Sequence, residues 1–218
     1  MSNAEELSGF DFARLADVRA LKLGLLYPHQ SDGVAFLLSK KRAVLGDDMG
    51  LGKTRQAIVS MQMGAPEGKI LVVCPAALKL NWRREILLVD PDAAVEVMGS
   101  TIPAAEDPRW VIINYDLLGR HASRLHDVGW AGVILDEAHF LKNASKRTSH
   151  CLKLLGVQGD AKAAPIGPSL VFLLTGTPMT NRTRDLFNLL RCVGHPAARS
   201  SCPLLSATAG RTGTTTAG

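Results

Sequence analysis

Short runs of apolar residues, rich in Val, Ile and Leu, recur along this chain, and between them lie segments with apolar positions at helical spacing. Ala43-Val44-Leu45, Ile70-Leu71-Val72-Val73-Cys74, Val95-Glu96-Val97-Met98, Trp110-Val111-Ile112-Ile113, Val133-Ile134-Leu135 and Leu170-Val171-Phe172-Leu173-Leu174 are runs of the first kind. They are apolar on both faces, which predicts strands of a parallel sheet covered by helices on both sides. Residues 55–63 and 78–88 predict two of those helices. Lys40-Lys41-Arg42 reads as the end of an earlier helix, where cations favour the carbonyl end.

Two stretches depart from the pattern. Residues 156–169 are rich in Gly, Ala and Pro and read as an exposed loop before the last strand. From about residue 197 to 218 periodicity is lost and Ser, Thr, Gly and Ala dominate, so this tail offers no core. The expected division is an N-terminal segment 1–24, one domain over 25–196 and the tail 197–218.

Composition narrows the picture modestly. The 218 residues suffice for one substantial domain. The net charge of +5 is compatible with a nucleic-acid partner without demanding one. No apolar stretch approaches the length needed to span a bilayer, and the polar, acidic N-terminus shows no secretory signal, so a cytoplasmic, nucleoid-associated or nuclear setting is expected. Cys74, Cys151, Cys192 and Cys202 lie far apart and read as free thiols rather than metal ligands.

Parallel sheets bind ligands beyond the carboxyl ends of their strands. Polar clusters follow Leu45, Cys74, Leu135 and Leu174, each at such an end. The first is Asp47-Asp48-Met49-Gly50-Leu51-Gly52-Lys53-Thr54. Gly50 and Gly52 let backbone N–H groups close around phosphate oxygens, and the helix after them adds its positive end. Lys53 suits the β- and γ-phosphates, and the Thr54 hydroxyl suits Mg²⁺. Asp47 stands where the usual phosphate-loop pattern has its first glycine. The third cluster is Asp136-Glu137-Ala138-His139. Asp136, at a strand end, is placed to reach magnesium, and Glu137 to polarise a water. Together the two clusters describe a site for binding and hydrolysing ATP.

Gln30 in Leu26-Tyr27-Pro28-His29-Gln30, the loop at 47–54, Asp136-Glu137-Ala138-His139 and Leu174-Thr175-Gly176-Thr177-Pro178 occur in the order of superfamily 2 helicase motifs. The chain resembles, more narrowly, the Swi/Snf family of DNA translocases. That narrowing rests on Asp48 to Thr54, Val72-Val73-Cys74-Pro75 with Asn81-Trp82, Leu141-Lys142-Asn143, Ser145-Lys146-Arg147-Thr148, and Asn181 after Pro178. RNA helicases share the acidic box, but Leu141-Lys142-Asn143 and Leu174 to Pro178 look Swi/Snf-like.

The resemblance implies a RecA-like, P-loop ATPase fold with ATP and Mg²⁺ as cofactors and double-stranded DNA as partner. It implies that Gln30 reads the adenine, that residues 47–54 hold the phosphates, and that Lys53 and Glu137 are catalytic. Thr54 and Asp136 would hold the metal. His139, Thr175, Gly176 and Thr177 would couple nucleotide to DNA. Lys79, Arg83, Lys142, Lys146 and Arg147 are candidate phosphate contacts on DNA, and Trp82 is expected to pack. The family closes a second RecA-like lobe over the nucleotide and supplies arginines from it. No second lobe is recognised in these 218 residues, so slow turnover is expected, or at the limit an ATP-binding module without useful turnover. Ser201-Cys202-Pro203-Leu204-Leu205-Ser206 admits codons that, shifted by one nucleotide, read as family-like sequence, and the expectation is a frameshifted tail.

Overall fold

The computed structural model describes residues 26–141, 146–157, 167–176 and 183–195, with side chains from 188 onward in the last segment. The expected loop core at 158–166 and the tail from 196 lie outside the described residues.

Pro28–Lys40 forms helix α1, with proline at its start, where a missing N–H costs nothing. Strand β1 (Arg42–Leu45) leads through the glycine loop into α2 (Lys53–Gly64). Then follow β2 (Lys69–Cys74), α3 (Lys79–Val89), β3 (Val95–Val97), β4 (Trp110–Asn114), the short α4 (Ala122–His126) and β5 (Trp130–Leu135). Helix α5 (Lys146–Leu154), β6 (Leu170–Leu174) and α6 (Thr183–Cys192) complete the order.

The six strands form a single sheet in the order β1-β6-β5-β2-β4-β3. Every pairing is parallel. Alternation along each strand sends side chains to two separate cores. In β2, Leu71 and Val73 join the cluster containing Cys151 and Leu152 of α5. Ile70, Val72 and Cys74 point the other way, toward Ile58 and Met61 of α2 and Trp82 and Ile86 of α3. Each fully buried Val, Leu or Ile contributes about 2 kcal/mol. The central strands, buried on both faces, therefore form the rigid base from which the carboxyl-end loops project. Gly132 lets α2 lie close on β5: a Cβ there would stand 2.3 Å from the Met61 sulfur.

Of the cluster Lys40-Lys41-Arg42, the first two end the helix as expected, and Arg42 departs from that role. The helix ends at Lys40, Lys41 takes a left-handed φ of 59°, and Arg42 opens β1. The Arg42 guanidinium is turned inward and donates to the carbonyls of Pro168 (2.8 Å), Val193 (3.3 Å), Cys192 (3.3 Å) and Leu155 (3.4 Å). It ties the ends of α5 and α6 to the start of the sheet. Burial lowers its pKa from the ordinary arginine value. Among the described residues no helix is long and apolar enough to cross a membrane.

Candidate functional site

Strand β6 lies between β1 and β5, so the glycine loop, Thr175 and Asp136 leave three adjacent strands at the same edge. This adjacency assembles clusters that are far apart in sequence.

The loop after β1 is shaped by its glycines. Gly50 and Gly52 have φ of 87° and 73°, the left-handed region that side chains avoid. The Lys53 ammonium folds back and donates to the carbonyls of Asp47 (2.7 Å) and Asp48 (2.8 Å). It thereby sits at the mouth of the loop's own backbone. Thr54 stands half-buried in the first turn of α2. Met49 and Leu51 are exposed.

Gln30 is buried, and both ends of its amide are engaged. Its Oε1 accepts from the Tyr27 N–H (3.0 Å), and its Nε2 donates to the Leu51 carbonyl (3.2 Å). Gln30 thus braces the loop from α1. Gln56, which the sequence reading passed over, does the same from α2: its Nε2 donates to the same Leu51 carbonyl at 3.1 Å. Gln56 is wholly buried, with Oε1 unpartnered against Gly33, where a Cβ would come within 1.8 Å of that oxygen. An amide one residue beyond Thr54 and Arg55, on the inward face of its helix, was the available signal.

The acidic end is held by side chains from elsewhere. The Asp136 N–H donates to Val73 (2.8 Å), extending the β2–β5 ladder by one residue. The Tyr115 hydroxyl donates to the Asp136 carbonyl at 2.6 Å. The carboxylate accepts from the Trp82 indole N–H on Oδ2 (2.7 Å) and from the Glu137 N–H on Oδ1 (2.9 Å). Burial raises the Asp136 pKa; the two hydrogen bonds and the charge of Lys53 oppose that, while Glu137 adds to it. Glu137 itself has a left-handed φ of 48°. Such a conformation costs a non-glycine residue about 1 kcal/mol or more, and such strain tends to cluster at working sites. Its Oε2 lies 3.0 Å from His139 Nδ1, within ion-pair distance but not aligned as a hydrogen bond. The His139 ring stacks on Phe140 with centroids 4.6 Å apart.

Thr175 follows β6, the strand that lies between β1 and β5. It is buried, and its N–H donates to the Leu45 carbonyl at 3.1 Å. Gly176 backs onto the loop: a Cβ there would fall 2.8 Å from Met49 Cγ. Thr177 lies outside the described residues, as does Lys142.

The remaining DNA candidates do not share a face. Lys79 and Arg83 belong to α3, on the same side of the sheet as α2, whereas Lys146 and Arg147 open α5 on the opposite side. Lys79 Nζ donates to the Met98 carbonyl (2.8 Å), and Arg147 pairs with Asp116. Arg83 is half-buried and Lys146 is exposed.

The donor set suits a magnesium nucleotide. A glycine loop before a helix, an ammonium beside it, and hard oxygens on Thr54 and Asp136 match a phosphate chain and its cation. Among the described residues no three His, Cys, Asp or Glu side chains gather as a metal cage. Two oxygen donors, Thr54 and Asp136, are a number Mg²⁺ ordinarily takes from protein when it also binds phosphate oxygens and water.

Comparison with known proteins agrees with this geometry. A family model described as "SNF2-related domain" matches residues 29–202. The chain is 34% identical over 185 residues to a "SWI/SNF-related matrix-associated actin-dependent regulator of chromatin subfamily A-like protein 1" of Xenopus laevis, covering 82% of this chain and 18% of the relative. It is 33% identical over 195 residues to the "DNA repair and recombination protein RAD54B" of Mus musculus, covering 76% of this chain and 20% of the relative. The chain thus spans about a fifth of the length of these curated relatives. Among solved structures, the "Sulfolobus solfataricus SWI2/SNF2 ATPase core in complex with dsDNA" superposes with a TM-score of 0.67 at 26% identity, covering 80% of this chain and 37% of that one.

Proposed function

This chain belongs to the SNF2-related family, and from that premise we propose that residues 25–196 are the nucleotide-binding lobe of an ATP-dependent double-stranded-DNA translocase. The observation that carries the reading is the meeting of the glycine loop, Thr175 and Asp136-Glu137 at the ends of β1, β6 and β5. In this reading the loop amides of 47–54 cradle the phosphates and Lys53 neutralises the β- and γ-phosphates. Thr54 and Asp136 hold Mg²⁺, which when bound offsets the phosphate charge. Glu137 orients the attacking water, and Gln30 contacts the adenine by exchanging one of its present partners. Thr175, with Gly176 against Met49, transmits changes at the loop toward the acidic end, and His139 does so through Glu137.

Duplex DNA is the proposed partner, held through phosphates. Of the described candidate cations, Lys146 is exposed, whereas Lys79 and Arg147 are held by partners and Arg83 is half-buried. A nucleotide-binding lobe assayed by itself is expected to turn ATP over slowly, because the family resemblance puts the catalytic arginines on a second RecA-like lobe, and such arginines contribute about 10³-fold or more in rate.

The test is nucleotide binding and phosphate release by the purified chain with duplex DNA, single-stranded DNA or RNA. Binding of a fluorescent ATP analogue that weakens at least about ten-fold in Lys53→Ala supports the site. Strong duplex-stimulated hydrolysis by the chain alone overturns the slow-turnover part, and stimulation by RNA alone overturns the DNA assignment.

A further inference from the structure

We propose that Trp82 is a positioning residue: its indole N–H fixes the rotamer of the Asp136 carboxylate so that this group is pre-aimed at the metal of a bound nucleotide. The proposal rests on the reading of Asp136 as a magnesium ligand given above.

Trp82 lies on α3, in a stretch of sequence separate from every residue of the nucleotide site. Its side chain is almost wholly buried and packs in the cluster that also holds Cys74 and Ile134. Packing alone would not require the indole nitrogen to face any acceptor. Trp110 makes the point, since it is equally buried and its Nε1 has no partner. The Nε1 of Trp130 donates to an ordinary carbonyl, that of Leu125, at 2.8 Å. Trp82 alone of the three directs its N–H at a carboxylate, at 2.7 Å. A bond to a charged acceptor is stronger and more directional than one to a neutral acceptor.

The geometry leaves Asp136 able to ligate. Each carboxylate oxygen offers more than one lone-pair direction, and each accepts one hydrogen bond from the chain, Oδ2 from Trp82 and Oδ1 from the Glu137 N–H. The carboxylate is therefore gripped on both oxygens with acceptor capacity remaining. Of these two donors, the backbone N–H is local and cannot be varied by side-chain choice. Trp82 is the donor supplied by tertiary structure. It also makes α3 part of the metal site, because a shift of that helix moves the carboxylate.

The experiment uses the full 218-residue chain and a fluorescent ADP analogue, titrated with Mg²⁺ and separately in excess chelator. Two changes remove the N–H: Trp82→Phe, and replacement of Trp82 by benzothienylalanine, which puts sulfur in place of the N–H at nearly constant shape. Both are expected to raise the Mg²⁺ concentration at the binding midpoint about ten-fold, as loss of partners behind a metal ligand commonly does. Binding in chelator should be unchanged. Asp136→Asn should raise the midpoint at least as far, and adding Trp82→Phe to it should produce no further shift.

The benzothienyl chain decides the matter if Trp82→Phe does not fold. An unchanged midpoint there, with Asp136→Asn shifted, overturns the proposal and leaves Trp82 a packing residue. An unchanged midpoint in Asp136→Asn overturns the magnesium reading itself and the proposal with it.

Discussion

The glycine loop after β1 and the acidic turn after β5 open at one sheet edge, separated by a single strand, yet they are stabilised in different ways. The loop is stitched mainly to itself and to the two helices beside it in sequence: Lys53 bonds carbonyls five and six residues back, and Gln56 bonds Leu51. The acidic turn is gripped from farther off by Trp82, over a separation of 54 residues, and by Tyr115 over 21, the same span that Gln30 bridges to Leu51. The loop is partly exposed and built from backbone conformation; the Asp136 turn is buried and built from side-chain contacts. A phosphate site needs N–H groups that any glycine-rich turn before a helix can present. In the proposed reading Asp136 is a metal carboxylate that must be held in one direction, and its distant donors do what local sequence alone cannot.

Substitutions can break this contrast, beginning with the largest effect. Gly52→Ala forces a side chain into a left-handed position and would bring Cβ 2.1 Å from Gln30 Nε2. Gln30 must then release Leu51, and the two costs together come to about 2 kcal/mol by chemical denaturation. Nucleotide binding should fall with it. Tyr115→Phe leaves the Asp136 carbonyl without its side-chain donor in a buried setting, and is expected to cost about 1.5 kcal/mol. A Tyr115→Phe chain as stable as the parent would mean the acidic turn is locally determined after all. Gly50→Ala meets the same backbone strain as Gly52→Ala, but nothing lies within 4 Å of its Cβ. It should cost about 1 kcal/mol and leave the Gln30 contact intact.

The smallest effect is a reactivity, read at Cys74, which ends β2 beside Asp136. Burial above all, with Asp136 adding to it, pushes this thiol up to about 12. Cys192 is pushed up to about 12 by burial, and Cys151 is also raised. A thiol pKa raised on folding stabilises the fold at pH below the unfolded value of about 8.5, and that contribution is lost as pH climbs through about 12. At pH 8 these three thiols should react with a thiol reagent only as fast as the chain opens. Tyr115→Phe should quicken labelling of Cys74 more than Gly50→Ala does. Equal acceleration by both would show that the two regions open together.

Much of the fold was legible because most strands are apolar on both faces, and β1, β5 and β6 run directly into polar residues at their carboxyl ends. The expected and observed strands agree closely, from Leu170–Leu174 to Trp110–Asn114. Helix α2 starts two residues before the expected 55–63, because Gly52 turns the chain directly into Lys53. Arg42 was misread since a basic residue after a helix is ordinarily solvated, and only the fold brings four carbonyls to it. Trp82 was expected to pack, and it does; its bond to Asp136 could not be foreseen, because nothing local links position 82 to position 136. The spread of Lys79, Arg83, Lys146 and Arg147 over two sides of the sheet was likewise invisible, since sequence distance says nothing of which face a helix covers.

By itself, then, the sequence determined the kind of sheet, the strand ends that carry polar clusters, and the chemistry of the residues offered there. Those depend on local matters: side-chain polarity, strand periodicity and the backbone freedom of Gly50 and Gly52. The tertiary structure decided that β6 would lie between β1 and β5, setting Thr175 beside both ends, and that an indole from α3 would hold Asp136. Strand order and long-range hydrogen bonds depend on how two cores pack on opposite faces of one sheet, and no window of neighbouring residues contains that information.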